Sequence, residues 1–236
     1  MKRFWKAVAV EAADGGFRVV LDGRPIRTQG GAAQVVPTRA LAEAMAAEWR
    51  GQGEEVDPAA FPLRDLADYA IDHVRTDRAA TIARLLAYAE TDTLCYRADP
   101  DEPLYSRQQA MWEPMLALIE QRHAVRFERV HGVVHRPQPP DTLARLRAFL
   151  AGQDDFTLSA LHALAPLAAS LTVALIALEP GYDVPALFEA ANCEQDWQAE
   201  LWGWEHEAER DRARRLAAFE AAARFAQLAR GSGDVD

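Results

Sequence analysis

The first 50 residues change from a strand pattern to a helix pattern, and no other feature constrains the fold as strongly. Residues 4–10 and 16–22 are rich in aromatic and β-branched residues, which favour paired strands. Gly15 and Gly23 each follow an aspartate at the ends of these runs, where tight hairpin turns need a positive φ.

Two further short strands are predicted after this hairpin. Residues 24–28 predict a third strand, which is placed at an edge of the sheet because Pro25 lacks an N–H, and residues 34–36 predict a fourth. The sequence therefore predicts a small antiparallel meander.

A helix is predicted directly after this meander. Thr38 follows a proline and is a good N-cap residue. Leu41, Met45 and Trp49 recur at intervals of four and form one apolar stripe, so Trp49 is predicted to lie in the core. Residues 53–62 contain two prolines and suggest a linker. We therefore predict a β-rich N-terminal domain with one helix over residues 1–57 and a helical domain over residues 58–236.

The rest of the chain has mostly helical periodicity, so the predicted fold class is α+β. Helices are predicted over 63–74, 77–89, 104–122, 141–151, 155–178, 183–197 and 205–229. The most apolar of them, 155–178, is expected to be a single central core helix, and its uncharged stretch is too short to span a bilayer. Residues 125–135 are ambiguous and are compatible with a short hairpin, and residues 231–236 suggest a frayed tail.

The charge distribution restricts the classes of partner. The formal net charge is −10, yet residues 1–40 carry seven Lys or Arg against three Asp or Glu. A bulk negative charge disfavours nucleic acids and anionic membranes, which are polyanions. We expect a monomer that binds no nucleic acid and inserts into no membrane. The two cysteines, Cys95 and Cys193, are far apart in the sequence and suggest a reducing compartment.

Candidate catalytic motifs are incomplete. Neither a phosphate-binding loop nor a dinucleotide fingerprint is present, so no cofactor is predicted. His131 and His135 have a spacing that suits metal binding on a helix, with His123 or Glu128 as a third ligand, but Gly132 argues against a helix there. Solvated or capping histidines explain the pattern better. We therefore predict no catalytic or metal site and no enzyme, and a metal-dependent hydrolase using His131 and His135 stays open as the alternative.

An acidic and aromatic segment lies near the end of the chain. Residues 194–209 contain three tryptophans and six Asp or Glu. In one interpretation the tryptophans pack inward, while the acids are solvated and favour the start of the next helix. In the other, the segment is an interaction surface, because aromatic anchors beside charges are typical of protein interfaces. Both interpretations remain open from the residues alone.

Several strings, in this order and spacing, resemble one known family. They are KRFWK at 2–6, DGRPIRT at 22–28, VPTRALA at 36–42, EW at 48–49, TDTLCYRA at 91–98, PQP at 137–139, LSAL at 158–161, WQ at 197–198 and WG at 202–203. Together they resemble the chaperone that assembles the catalytic sector of F-type ATP synthase. Two positions depart from the family pattern: Asp68 stands where a small polar residue such as asparagine is expected, and Ala169 where glycine often precedes the Ser-Leu pair.

The resemblance implies a function. Members of this family bind the free alpha subunit of the catalytic sector and release it to the beta subunit. The family's functional acidic position lies in the region of residues 202–207, which points to Trp202, Glu205 and Glu207 as partner-binding residues. The chain resembles the alphaproteobacterial form, which implies a cytoplasmic location, whereas eukaryotic relatives act in the mitochondrial matrix. A scaffold for some other partner is a further alternative.

Overall fold

The computed structural model describes residues 2–132 and 134–231. It confirms the α+β class: a three-stranded antiparallel sheet is followed by a mostly helical region. The chain forms two compact units. The first takes in the described residues up to Arg78, residues 154–160 and those from 221 onward, and the second takes in 79–153 and 161–220. Whether a boundary at 57/58 separates independently folding domains stays a prediction.

The sheet of the first unit consists of β1 (Val8–Ala13), β2 (Gly16–Leu21) and β3 (Arg24–Pro25), in that order. The turn between β2 and β3 has positive φ at both Asp22 (49°) and Gly23 (76°), which fits the right-handed twist of a hairpin. The Asp22 carboxylate also accepts the backbone N–H of Ala7 at 2.7 Å and that of Lys6. These two bonds hold the pKa of Asp22 below its usual value.

The predicted fourth strand over 34–36 is wrong. Val36 exchanges two backbone hydrogen bonds with Phe17 (2.8 and 2.9 Å) and forms one isolated bridge. The pairing ends there because Pro37 has no N–H with which to continue a ladder.

Helix α1 (Arg39–Arg50) packs on β1 and β2 and confirms the predicted cap and, for Leu41 and Met45 but not for Trp49, the predicted buried stripe. The Thr38 hydroxyl accepts the N–H of Leu41 at 3.1 Å, and Leu41 and Met45 are buried. Trp49 is half-buried, with its ring edge-on to Trp5 at 5.0 Å. The first unit continues with a 3₁₀ turn (Pro58–Ala60), α2 (Pro62–Tyr69) and a π-helical turn (Ala70–Val74).

The remaining elements carry most of the helical residues. They are α3 (Arg78–Glu90), a 3₁₀ turn (Thr93–Cys95), β4 (Tyr96–Arg97), α4 (Pro103–His123), β5 (Val130–His131), α5 (Pro140–Ala151), α6 (Asp155–Ala168), α7 (Leu171–Ala177), α8 (Val184–Ala191), α9 (Cys193–Trp202) and α10 (His206–Arg230). Every residue of α7 is buried. Trp112 of α4 is fully buried, and its indole N–H donates to the carbonyl of Ala190 at 2.7 Å. The described residues include no helix that is both long and apolar enough to cross a membrane.

The single core helix expected over 155–178 is wrong. The structure breaks it between α6 and α7, where Ala169 has φ 47° and Ser170 is extended. The Ser170 hydroxyl caps α7 by accepting the N–H of Val173 at 3.0 Å. Ala169 is the position where the family pattern favours glycine, the residue that tolerates this φ without cost.

Two other predictions are corrected. The described residues of 125–135, which leave out residue 133, form no hairpin, since β5 pairs in parallel with the distant β4 through Tyr96↔Val130 and Arg97↔His131. The helix predicted over 183–197 is two helices, α8 and α9, which meet at Asn192. Of the predicted tail, only Gly231 is described, and residues 232–236 lie outside the described residues.

Candidate protein-interaction site

The corner between α9 and α10 carries the three sequence-predicted site residues, all within the second unit. Trp202 ends α9 and is 78% exposed, and Glu205 and Glu207 are exposed at the start of α10. The two helices are joined through Gly203, whose φ of 85° and ψ of 163° suit glycine alone. The interpretation in which all the tryptophans pack inward is therefore wrong for Trp202.

Other apolar side chains at this corner are also exposed. Leu201 is 56% exposed and Trp204 is 39% exposed, whereas Trp197 is half-buried under the guanidinium of Arg107. Together, Leu201, Trp202 and Trp204 make an apolar ridge. Among the described residues only three other large apolar side chains are as exposed: Phe4, Val134 and Tyr182. A cluster of this kind marks an interaction surface more often than scattered single residues do.

A pocket of about 480 Å³ lies beside the ridge. Its walls come from α4, α8, α9 and α10 together with Trp204. Two charged pairs fix its shape. Arg107 donates to Glu200 at 2.7 Å, and Arg212 donates two hydrogen bonds to Asp196 at 2.6 and 2.8 Å.

Arg212 is the most constrained of these side chains. Its guanidinium carbon lies 5.5 Å from the ring centre of Phe188 and 5.7 Å from that of Trp204. A planar guanidinium that forms a bidentate pair and also stacks on aromatic rings is held in one geometry. Arg212 therefore links α10 to both α8 and α9 and sets the position of Trp204.

Hydrogen bonding shifts the pKa values of Arg107 and Glu200, one of the two charged pairs of the pocket. The hydrogen bond from Arg107 lowers the pKa of Glu200 and raises that of Arg107 itself. Next to them, burial raises the pKa of Glu194, whose Oε1 accepts from the amide of the buried Gln108 at 2.7 Å. Burial likewise raises the pKa of Cys193 and keeps its thiol unreactive.

Four carboxylates of this region have no ion-pair partner within the described part of the chain. They are Glu189 and Glu209 at the pocket and Glu205 and Glu207 at the start of α10. Acids in the first turn of a helix are stabilised by its dipole, which accounts for Glu207 and Glu209 in part. The surface as a whole combines an apolar ridge with unneutralised negative charge. It is suited to binding a partner rather than to chemical transformation.

The histidines of the hydrolase alternative are placed differently. His135 Nδ1 shares a 2.9 Å hydrogen bond with the hydroxyl of Tyr96, and the ring of His131 packs against Tyr105 at 5.6 Å. His123 packs edge-on against Phe149. Across residues 2–132 and 134–231, no three His, Cys, Asp or Glu side chains are grouped to hold a metal ion. The hydrolase alternative gains no support.

Sequence reasoning missed Arg107, Glu189 and Arg212. Arg107 and Glu200 are 93 positions apart, so no local pattern could pair them. Arg212 gave a weak signal, because it is a basic residue three positions after the acidic and aromatic segment 194–209. Its partner Asp196 is 16 positions away on another helix, and helical spacing alone does not reveal such a pair.

Comparison with known proteins gives a consistent result. The family model described as ATP12 chaperone protein matches residues 2–120. The crystal structure of Atp12 from Paracoccus denitrificans is 39% identical, with a TM-score of 0.91 over 97% of this chain and 98% of that one. An aspartate-to-lysine variant of Atp12p from P. denitrificans matches at the same identity and TM-score, over 97% of both chains. The mitochondrial protein atp12 of Schizosaccharomyces pombe is 24% identical over 86% of this chain and 74% of its own length.

Proposed function

The chain belongs to the ATP12 chaperone family, and on this premise we propose that it assists assembly of the catalytic sector of F-type ATP synthase. The client is the free alpha subunit, which the chaperone binds and later releases to the beta subunit. This assignment of the client rests on the sequence resemblance. The solvent-exposed ridge of Leu201, Trp202 and Trp204 beside unpaired carboxylates supports it.

The ridge has the character of an interface anchor. Tryptophan is the residue most enriched where binding energy concentrates, and an exposed one in a free protein leaves a large apolar area in water. Trp202 is 78% exposed, so its side chain contributes little to the stability of the fold. Most of its apolar surface is therefore available to contact a partner. Glu205 and Glu207 lie three and five positions further along and supply charge around this anchor.

The free client subunit needs a chaperone because its assembly interface is exposed to solvent. An unpartnered subunit of an obligate ring presents a large apolar interface that assembly covers, and a patch of this kind promotes aggregation. A chaperone that covers it temporarily needs no chemistry. Release follows by competition when the beta subunit forms the tighter complex at the same surface, without ATP hydrolysis by the chaperone.

Size-exclusion chromatography tests this function. The purified protein is mixed either with isolated alpha subunit or with the assembled catalytic hexamer. We expect co-elution with the free subunit only, and loss of the complex when beta subunit is added. Equal binding to both forms, or to neither, would contradict the proposal. Calorimetry with ATP is a parallel check, and micromolar affinity of the isolated chaperone for the nucleotide would contradict release without nucleotide.

A charge-reversed variant tests the surface. Glu205→Lys combined with Glu207→Lys should weaken binding of the alpha subunit. Both acids are exposed and unpaired, so the cost in stability should be limited to the interaction with the dipole of α10, about 1 kcal/mol. Glu220→Lys is the control, because Glu220 is an exposed acid on the same helix away from the corner. If the double variant binds as the wild type does, this surface is not the binding site.

Two further properties stay predictions. A monomeric state is checked by light scattering of the free protein. A cytoplasmic location in a bacterial host is checked by fractionation of cells that express the tagged chain at its native level.

A further inference from the structure

The pocket beside the ridge contains both satisfied and unsatisfied charges. The donors of Arg107 and Arg212 are directed to Glu200 and Asp196, and Arg212 also lies against Trp204. Because each guanidinium charge is already paired with a carboxylate, the two arginines do not offer an unpaired positive charge to an acidic group. Two carboxylates, Glu189 of α8 and Glu209 of α10, line the same pocket without an ion-pair partner in the described chain.

The net charge of the pocket indicates which kind of side chain can bind in it. Four carboxylates and two guanidiniums line the pocket, so its net charge is negative. An acidic side chain would be repelled. A purely apolar side chain would remove water from two carboxylates and leave them unpaired, which is costly. A basic side chain avoids both penalties, because its donors satisfy the carboxylates as water leaves.

Trp204 adds a second recognition element. Its ring lines the pocket, is 39% exposed and already has a guanidinium against it. Cations bind favourably over aromatic faces, and arginine does so most often. A volume of about 480 Å³ is within the range of ligand pockets and accommodates a long side chain.

We propose that this pocket receives a basic side chain of the client subunit, which pairs with Glu189 and Glu209 beside Trp204. The proposal rests on the proposed function and adds the specificity of the site: Leu201 and Trp202 cover apolar surface of the client, and the pocket selects a client segment that carries an arginine or lysine. A basic side chain bound in this pocket fixes the position of the client segment along the chaperone surface, whereas an apolar contact alone does not.

The test measures the affinity of the full chain for isolated alpha subunit at physiological salt. The variants are Glu189→Gln, Glu209→Gln and the two combined, with Glu220→Gln on α10 as the control. Each single substitution should weaken binding about tenfold, the magnitude of one lost charged hydrogen bond. The combined variant should bind still more weakly and depend less on salt, while Glu220→Gln should bind within twofold of wild type.

Further variants separate recognition from folding. Neither Glu189 nor Glu209 has an ion-pair partner in the described chain, so Glu189→Gln should keep the melting temperature of the wild type, and Glu209→Gln should lower it only by the small dipole contribution of a first-turn acid. Trp204→Leu should also weaken binding while all the carboxylates are retained. An alanine scan of the exposed basic residues of the alpha subunit should yield one variant whose affinity no longer responds to Glu209→Gln.

The outcomes distinguish the two proposals. If the wild type binds the alpha subunit and the combined glutamine variant binds equally well, the basic anchor is overturned while the proposed function stands. If the wild type does not bind the alpha subunit, the proposed function is overturned and the occupant of the pocket with it. Weakened binding of the glutamine variants, with no basic residue of the subunit coupled to Glu209, overturns the occupant alone.

Discussion

The carboxylate of Glu48 accepts the backbone N–H of Leu63 at 2.7 Å, so the last turn of α1 caps the first turn of α2. Its second oxygen accepts the N–H of Arg64 at 3.0 Å. No side chain of α2's own N-terminal residues provides this cap. Burial outweighs both hydrogen bonds and the nearby Arg64 charge, and it raises the pKa of Glu48 to about 7.

Glu48 should make stability depend on pH. Its folded pKa is about 7, against 4.5 for an unperturbed glutamate, so between these two pH values the folded state binds more protons than the unfolded state. The contribution of Glu48 to the free energy of unfolding therefore falls as pH rises through this window. Glu48→Gln removes the titration. In urea unfolding, the free energy of unfolding of the variant relative to that of the wild type should therefore be higher at pH 8 than at pH 5. A difference that is the same at both pH values contradicts this.

Arg212→Lys should destabilise the α9–α10 corner although it keeps the charge. Lysine forms neither the bidentate pair with Asp196 nor the stack on Phe188, and we expect a loss of about 1–2 kcal/mol in the free energy of unfolding. Arg214→Lys is the matched control, since Arg214 is 76% exposed and pairs with Asp211 on the surface. Equal effects of the two substitutions in denaturant titrations would show that the stacked geometry contributes nothing.

Ala169→Gly should stabilise the protein. Ala169 is exposed and has φ 47°, a conformation in which a Cβ atom is unfavourable, so glycine should add about 0.5–1 kcal/mol to the free energy of unfolding. The same change at Ala217, an exposed position inside α10, should cost about 1 kcal/mol. Thermal unfolding of both variants checks the opposite signs, and a loss of stability at both positions refutes the argument.

Trp112→Phe should be strongly destabilising, by about 2–4 kcal/mol. The substitution leaves a cavity in a fully buried site and removes the donor to the carbonyl of Ala190. Trp202→Phe changes the same side chain where it is 78% exposed and should leave stability within about 0.5 kcal/mol. Chemical denaturation followed by circular dichroism compares the two variants. Similar losses of stability would mean that Trp202 is buried in the folded protein and is not exposed.

Features that depend on neighbouring residues were predictable from the sequence. The hairpin turn at Asp22 and Gly23, the cap at Thr38 and the stripe of Leu41 and Met45 all follow from local geometry, and all are present. The break at Ala169 was not predicted. Apolar periodicity continues across a one-residue interruption, so the core pattern alone does not distinguish one long helix from two.

The candidate site was predictable as a segment but not as a surface. The acidic and aromatic composition located the α9–α10 corner, yet composition does not tell which tryptophan faces water. Gly203 decides this, because its backbone conformation turns the chain between Trp202 and Trp204. The pocket needed the tertiary structure, since Arg107 and Glu189 reach it from α4 and α8.

The burial of both thiols makes the chain a convenient host for spectroscopic labels. Cys95 and Cys193 are each 0% exposed, and burial raises the pKa of both, so neither supplies the accessible thiolate with which maleimide reagents react. A single cysteine introduced at an exposed position, such as Glu220 on α10, should therefore take up a fluorophore selectively in the otherwise native protein. Client capture and release then become measurable in real time, with the two natural cysteines left in place.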